Sequence, residues 1–277
     1  MKIFPCCKIN LGLNIVSKRP DGYHNLETVF YPVPLCDVID VLEISETQFL
    51  HFQMESIGNQ LDCRNEDNLI VKAYHLLATD HCLPAMRVAL QKNIPSQAGL
   101  GGGSSDAAFM LQFLKERFQL PISHDALISY ASKLGADCAF FIDCKPVFAT
   151  GIGDVFHPLE GKTDFLQGVY VLIVKPDVSV STANAFRHIL PAAPMVSCKE
   201  AILQPIEMWK DLLANDFEDS VFLQYPELAE LKAQLYAAGA VYAQMSGSGS
   251  AVFGLFKENP EKLREAFREH FVFISQL

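Results

Sequence analysis

Basic residues are scarce in this chain: 22 lysines and arginines stand against 32 aspartates and glutamates in 277 residues, a net charge of −10. A general nucleic-acid or membrane-surface binder needs a basic face, so those classes are excluded and any anionic ligand must be held by local groups. Metal-type spacing is missing too. None of the eight cysteines (6, 7, 36, 63, 82, 138, 144 and 198) forms a CxxC pair, and with the eight histidines they make no HExxH-like pattern. Reduced, mostly buried thiols are the expectation. The N-terminal MKIFPCCKINLGLNIV lacks the marks of a signal peptide, because Lys8 and Asn10 interrupt it and no small-residue cleavage site follows; a cytoplasmic location is expected. Ala233 to Phe256 carries no formal charge, which raises the question of a membrane span. Gly239, Gln244 and the run Ser246 to Ser250 instead cut it into a helix end, a strand and a tight turn. Internal repeats and low-complexity tracts are absent.

Half of the residues are apolar, and the length is near that at which a single core splits, so two domains are expected, at 1–157 and 158–277. The patterning reads as α+β. Residues 2–16, 37–44 and 49–54 read as strands, the last two paired antiparallel across a short link. DNLIVKAYHLLAT places Leu69, Ala73, Leu76 and Leu77 on one helical face with Asp67 or Asn68 as cap, and MRVALQKNI follows as a strand. Ala107, Leu111, Leu114 and Phe118 mark a helix apolar on more than one side. HDALISYASKLG predicts another, stopped by Gly135; ADCAFFID reads as a buried strand or extended turn, and PVFATGIGDVFHPL as a hairpin around Gly151 and Gly153. Beyond it lie a strand at 168–175, helices near 182–190, 199–214 and 226–238, a strand into MSGSGSAVFGLF, a helix at 259–270 and a last strand FVFIS.

PSQAGLGGGSSDAA, Pro95 to Ala108, holds four glycines in five residues just before the apolar helix. It fits neither GxxxxGK[ST], having no lysine, nor GxGxxG, having Ser104 where the last glycine belongs. What remains is a helix N-terminus with free N–H groups, a partial positive charge and glycines that let phosphate oxygens reach the backbone. Ser104 and Ser105 can cap that helix or give hydroxyls to phosphate or metal. Alone, such a loop could equally be a capped turn.

It is not alone. KINLGLNIVSKRPDGYHNLETVF, EDNLIVKAYHLL, IPSQAGLGGGSSDAA, LGADCAFF and MSGSGSAVFG occur in the order seen in the GHMP kinase superfamily of small-molecule kinases, and the chain resembles that superfamily over nearly its whole length. RPDGYHNLETVF resembles the branch that phosphorylates a cytidyl-diphosphate-linked methylerythritol in the non-mevalonate isoprenoid pathway, rather than those acting on homoserine, mevalonate or sugars. The resemblance implies an N-terminal domain like the second domain of ribosomal protein S5, a C-terminal ferredoxin-like domain, and an active site in the cleft between them. It implies transfer of the γ-phosphoryl group of ATP to the 2-hydroxyl of the erythritol.

The resemblance assigns Asp137 as base and Lys8 as its partner, roles suited to a reaction that needs a proton acceptor and charge neutralisation. Taken singly, Asp137 could be a turn residue after Gly135, and Lys8 a strand-edge lysine. Cys7 stands where the family usually has a small residue such as alanine. For ATP the resemblance implies Asn68, Lys92 and the loop formed by Pro95, Ser96, Gln97, Ala98, Gly99, Leu100, Gly101, Gly102, Gly103, Ser104 and Ser105. Asn68 could also simply cap its helix. For the substrate it implies Asn10 near the erythritol, Tyr23 as a stacking platform for cytosine, His24 at the base edge, Thr182 as a polar contact and Phe186 as the opposing aromatic. Mg²⁺ is expected with ATP, and no metal ligand can be named. Protein partners are not legible.

Overall fold

The computed structural model describes residues 1–45, 52–58, 64–159 and 164–277. Contacts group the chain into two units, each built from separated segments: Met1–Cys7, Leu35–Ser96 and Gly101–Cys144 form the first, and Lys8–Pro34, Gln97–Leu100 and Lys145–Leu277 the second. Among the described residues no helix is long and apolar enough to cross a membrane.

In the first unit a four-stranded sheet has the order Lys2–Ile3, Val38–Ser45, Ala85–Lys92, Phe52–Gly58. The antiparallel pair expected from 37–44 and 49–54 does not form. Ala85–Lys92 lies between those strands, antiparallel to Val38–Ser45 and parallel to Phe52–Gly58. The reason is the crossover: the helix Leu69–Ala78 separates Phe52–Gly58 from Ala85–Lys92, and such a connection returns the chain in parallel. Residues 49–51 lie outside the described residues.

The helix Leu69–Ala78 buries Ile70, Ala73, Tyr74 and Leu77, a face turned slightly from the expected one, and Asn68 Oδ1 caps it by accepting from the Ile70 N–H at 2.8 Å. The helix Gly102–Arg117 buries Ala107, Ala108, Met110, Leu111, Phe113 and Leu114 against three other helices, so its apolar residues on several sides all find cover. ADCAFFID is neither strand nor extended turn but a 3₁₀ turn, Ala136–Cys138, followed by a helical turn, Phe140–Asp143. A short apolar run has no periodicity to separate the two, and here packing on the Gly102–Arg117 helix decides.

The second unit holds two sheets. One has the order Cys6–Lys18, His24–Cys36, Val147–Thr150, Val155–Pro158, with the expected hairpin turning at Gly151 to Gly153. The strand expected over 2–16 is broken at Pro5. His24–Cys36 is a strand that the sequence hid behind Pro32 and Pro34, residues that argue against a strand interior. The other sheet, Tyr242–Met245, Val252–Phe256, Tyr170–Lys175, Phe271–Gln276, is antiparallel throughout. The helices Phe217–Gln224 and Pro226–Ala237 cover it, with Leu172, Val174, Phe217, Val221, Leu231, Leu235 and Val252 in one core. Helix 199–214 is broken at Pro205 into short turns, and 182–190 is a helical turn, Thr182–Ala185, followed by a 3₁₀ turn. The helix expected over 259–270 is two 3₁₀ turns, because within those turns only Phe267 is buried and one anchor does not hold a full helix against solvent.

Candidate active site

Lys8 is 3 % exposed on the strand Cys6–Lys18. Burying an ammonium is costly unless its protons are taken up. Its Nζ donates to Asn10 Oδ1 at 2.7 Å and to the Gly99 carbonyl at 2.9 Å, and it sits 5.2 Å from the centre of the Phe30 ring. Asn10 is held in turn: its Nδ2 donates to Thr28 Oγ1 at 3.0 Å, and Thr28 donates to the Gly12 carbonyl at 2.5 Å. That relay aims Asn10 Oδ1 at the lysine. The alternation of a strand puts residues 8 and 10 on one face, which is why KIN can build this pair.

The glycine loop is fixed from its first half. Ser250 and Ala251 N–H groups donate to the Gln97 and Ala98 carbonyls, and Ser246 Oγ donates to the Gly99 carbonyl at 3.0 Å. A Cβ on Gly99, at φ +73°, would stand 1.9 Å from the Ser246 carbonyl oxygen, so glycine is obligatory there. Asn215 Nδ2 donates to the carbonyls of Met245 and Gly247, both at 2.8 Å, and fixes the supporting turn. Ala98 and Leu100 are buried, and the Leu100 carbonyl accepts from the Lys8 N–H at 3.0 Å, while Gln97 is exposed and Pro95 and Ser96 are half-buried.

The second half opens the helix Gly102–Arg117. Gly101, at φ +72°, is its N-cap and offers no side chain, so the N–H groups of the first turn are left for a ligand. Ser105 is fully buried and its hydroxyl has no hydrogen-bond partner. Burial above all pushes the Cys138 thiol up to about 11, while the neighbouring Ser104 acts in the opposite direction. Cys138 follows Asp137, and the packing of the Ala136–Cys138 turn on the helix sets Asp137, half-buried, beside the helix start.

Lys92 is 7 % exposed, and its Nζ pairs with Asp37 and, at 2.9 Å, with Asp106. Burial pulls the Lys92 ammonium down, but the two carboxylates outweigh it and the net shift is upward. Burial first, with Asp37 adding to it, pushes Asp106 up to about 7 against the pull of Lys92. Asp37 also accepts from the N–H groups of Asn93 and Ile94, at 2.6 and 2.8 Å. A Cβ on Gly102 would come within 2.9 Å of Lys92 Nζ, so this buried triad lies directly under the loop. Asp37 and Asp106 were missed from sequence, although Asp106 stands inside GGGSSDAA; a lone acid in a helix gives no signal of its own.

His24 stacks on Phe186, centres 4.8 Å apart and planes 13° from parallel, and Tyr23 is 62 % exposed. Phe186 also meets Phe217 edge-on. Thr182 Oγ1 lies 2.9 Å from Ser248 Oγ, joining Thr182 to the turn that carries the loop.

Residues 68–145 match the family of GHMP kinase N-terminal domains, and residues 198–272 the family of GHMP kinase C-terminal domains. A 4-diphosphocytidyl-2-C-methyl-D-erythritol kinase of Bacteroides thetaiotaomicron is 55 % identical over 93 % of this chain and 92 % of its own. The chain belongs to the 4-diphosphocytidyl-2-C-methyl-D-erythritol kinase family of GHMP kinases. A Bacteroides fragilis member of this family is 50 % identical over the full length of both chains. The crystal structure of a 4-(cytidine 5'-diphospho)-2C-methyl-D-erythritol kinase superposes with a TM-score of 0.82 at 30 % identity, covering 99 % of this chain and 98 % of that one. The protein is thus a small-molecule kinase with the two-domain, ATP-binding GHMP kinase fold.

Proposed function

We propose that this kinase transfers the γ-phosphoryl group of ATP to the 2-hydroxyl of 4-diphosphocytidyl-2-C-methyl-D-erythritol, a step of the non-mevalonate route to isoprenoid precursors. The observation that carries the reading is the buried Lys8 ammonium held to the glycine loop at the Gly99 carbonyl, together with the packing of the Asp137 turn on the helix that the loop opens. Asp137 accepts the hydroxyl proton, Lys8 offsets charge on the moving group, and the first-turn N–H groups hold the phosphates. Asn68 and Lys92 belong to the nucleotide side, with Lys92 supporting the loop from beneath. Residues 1–157 form the ATP-binding part and 158–277 the C-terminal part of the kinase. Mg²⁺ arrives on the phosphates of ATP, where it keeps several waters and needs few protein ligands. Among the described residues no group of three or more His, Cys, Asp or Glu is placed to hold a metal, and no residue of this chain is named as its ligand. ATP consumption by the purified protein, measured against the cytidyl substrate, mevalonate, homoserine and simple sugars, tests the whole reading. Good turnover of one of the others and none of the cytidyl compound refutes it.

Loop and base site can be probed separately. Gly103 is the position for the loop, since a Cβ there meets nothing nearer than Leu69 Cδ1 at 4.0 Å, whereas one on Gly102 would push on Ile94 and Lys92. Gly103→Val is expected to leave the melting temperature nearly unchanged and to weaken ATP binding at least tenfold by calorimetry; unchanged affinity removes the loop assignment.

At the base site Tyr23 supplies the exposed stacking face, with His24 at the base edge and Phe186 as the opposing aromatic. Stacking contributes about 1 to 3 kcal/mol per base, so Tyr23→Ala should raise KM for the cytidyl substrate by roughly one to two decades. KM for ATP should hardly move. A parallel loss for both substrates would mean that Tyr23 only packs its turn.

A further inference from the structure

The kinase chemistry uses no thiol, yet three cysteines gather in the first unit. Cys6 opens the strand Cys6–Lys18, Cys144 ends the helical turn Phe140–Asp143, and Cys36 is kept near Cys6 by the hydrogen bond from the Asp37 N–H to the Pro5 carbonyl. The Sγ atoms of Cys6 and Cys144 are 2.8 Å apart, closer than two unbonded sulfurs ordinarily approach. A disulfide needs about 2.05 Å, so the remaining movement is under about 1 Å and side-chain adjustment can supply it. Both residues are only partly buried, so a small oxidant can reach them.

We propose that Cys6 and Cys144 form a reversible redox pair, closed to an intrachain disulfide by a low-molecular-weight disulfide of the glutathione type. The two thiols share one hydrogen bond that either can donate, and this bond, ahead of burial, raises the Cys6 thiol far above the ordinary range; the exchange starts at Cys144 and Cys6 resolves it. The Cys144 thiolate attacks one sulfur of the oxidant, forming a mixed disulfide and expelling one small thiolate. That thiolate takes the Cys6 proton as the Cys6 sulfur attacks Cys144, and the second small thiolate leaves. Two protein thiols are oxidised to one disulfide, and one small disulfide is reduced to two thiols. The bond joins residues 138 positions apart and ties the segment Met1–Cys7 to Gly101–Cys144, restricting the unfolded chain. It is a lock on the first unit that leaves Lys8 and Asp137 chemically untouched.

The test is to equilibrate the folded full-length protein in buffers of oxidised and reduced glutathione, trap free thiols with an alkylating agent under acid quench, and map the peptides by mass spectrometry. The expected result is a linked pair of peptides carrying Cys6 and Cys144, lighter by two hydrogens, reversed by dithiothreitol and accompanied by a higher melting temperature. Cys36→Ser should keep the link, and Cys144→Ser should abolish both the link and the thermal shift. The wild-type peptide map decides the matter even if a variant folds poorly. Alkylation of both residues in the most oxidising buffer, a glutathione adduct persisting on Cys144, or pairing of either with Cys36 would overturn the proposal.

Discussion

Asp137→Asn should bind ATP and the cytidyl substrate with near-normal affinity while kcat falls by roughly two to four decades, the usual contribution of a positioned proton acceptor. The asparagine keeps the shape of the Ala136–Cys138 turn, so the loss is confined to the proton. Lys8→Met should cause a comparable fall, and it also unseats Asn10 and the Gly99 carbonyl, whose partner it removes. Lys8 lies in the second unit and Asp137 in the first, so the decisive measurement is the double variant. If the two act on one hydroxyl, the combined loss is much smaller than the product of the separate losses, because residues that act as a unit are non-additive. Independent multiplication of the two effects would mean that they do not share a step, and near-normal turnover of Asp137→Asn would remove the base.

The second large effect is on stability. Lys92→Met leaves Asp37 and Asp106, both almost fully buried, facing each other without their cation. Breaking a buried ion pair in this way costs about 3 to 5 kcal/mol, because the remaining charge is left without compensation. Urea unfolding at pH 8 should show that loss, and a smaller one at pH 5.5, where a shared proton neutralises one carboxyl. A loss below about 1 kcal/mol at pH 8 would mean that the triad is not as buried as described.

Asp106 makes a related forecast. Its carboxyl is raised from 3.8 to about 7 on folding, so the folded state holds this proton more tightly than the unfolded one. Its contribution is complete below about 4 and is lost as pH rises through about 7. Asp106→Asn, neutral and of the same shape, should flatten that decline, and a melting-temperature profile over this window that is parallel in both proteins would contradict it.

Much of this site was legible because phosphate binding depends on local backbone. Glycine at 99 and 101 reports positive φ, and glycine before an apolar helix reports a helix start open to an anion. The residues that brace it were not legible. Asp37 comes from the junction between the strands His24–Cys36 and Val38–Ser45, Asp106 from inside a helix and Asn215 from a connection more than a hundred residues away, and each becomes meaningful only through its partners Lys92 and the Gly247 carbonyl. Tyr23, His24 and Phe186 could be named from the sequence. That His24 rather than Tyr23 occupies the face of Phe186 could not, because ring pairing depends on how the turn folds back.

The sequence alone determined the elements whose cause is short-range: the glycine loop, the multi-sided helix after it, a helix cap at Asp67 or Asn68, the hairpin at Gly151 to Gly153 and the turn at Ser246 to Ser250. Tertiary structure decided the partner of each strand, placing Ala85–Lys92 between Val38–Ser45 and Phe52–Gly58, and it decided that ADCAFFID turns helically and that 259–270 does not make a full helix. The physical division follows from range. Caps, turns and positive φ are settled within a few residues of chain, whereas sheet order and the state of short apolar segments depend on which distant surface covers them, and that surface exists only once the chain has folded.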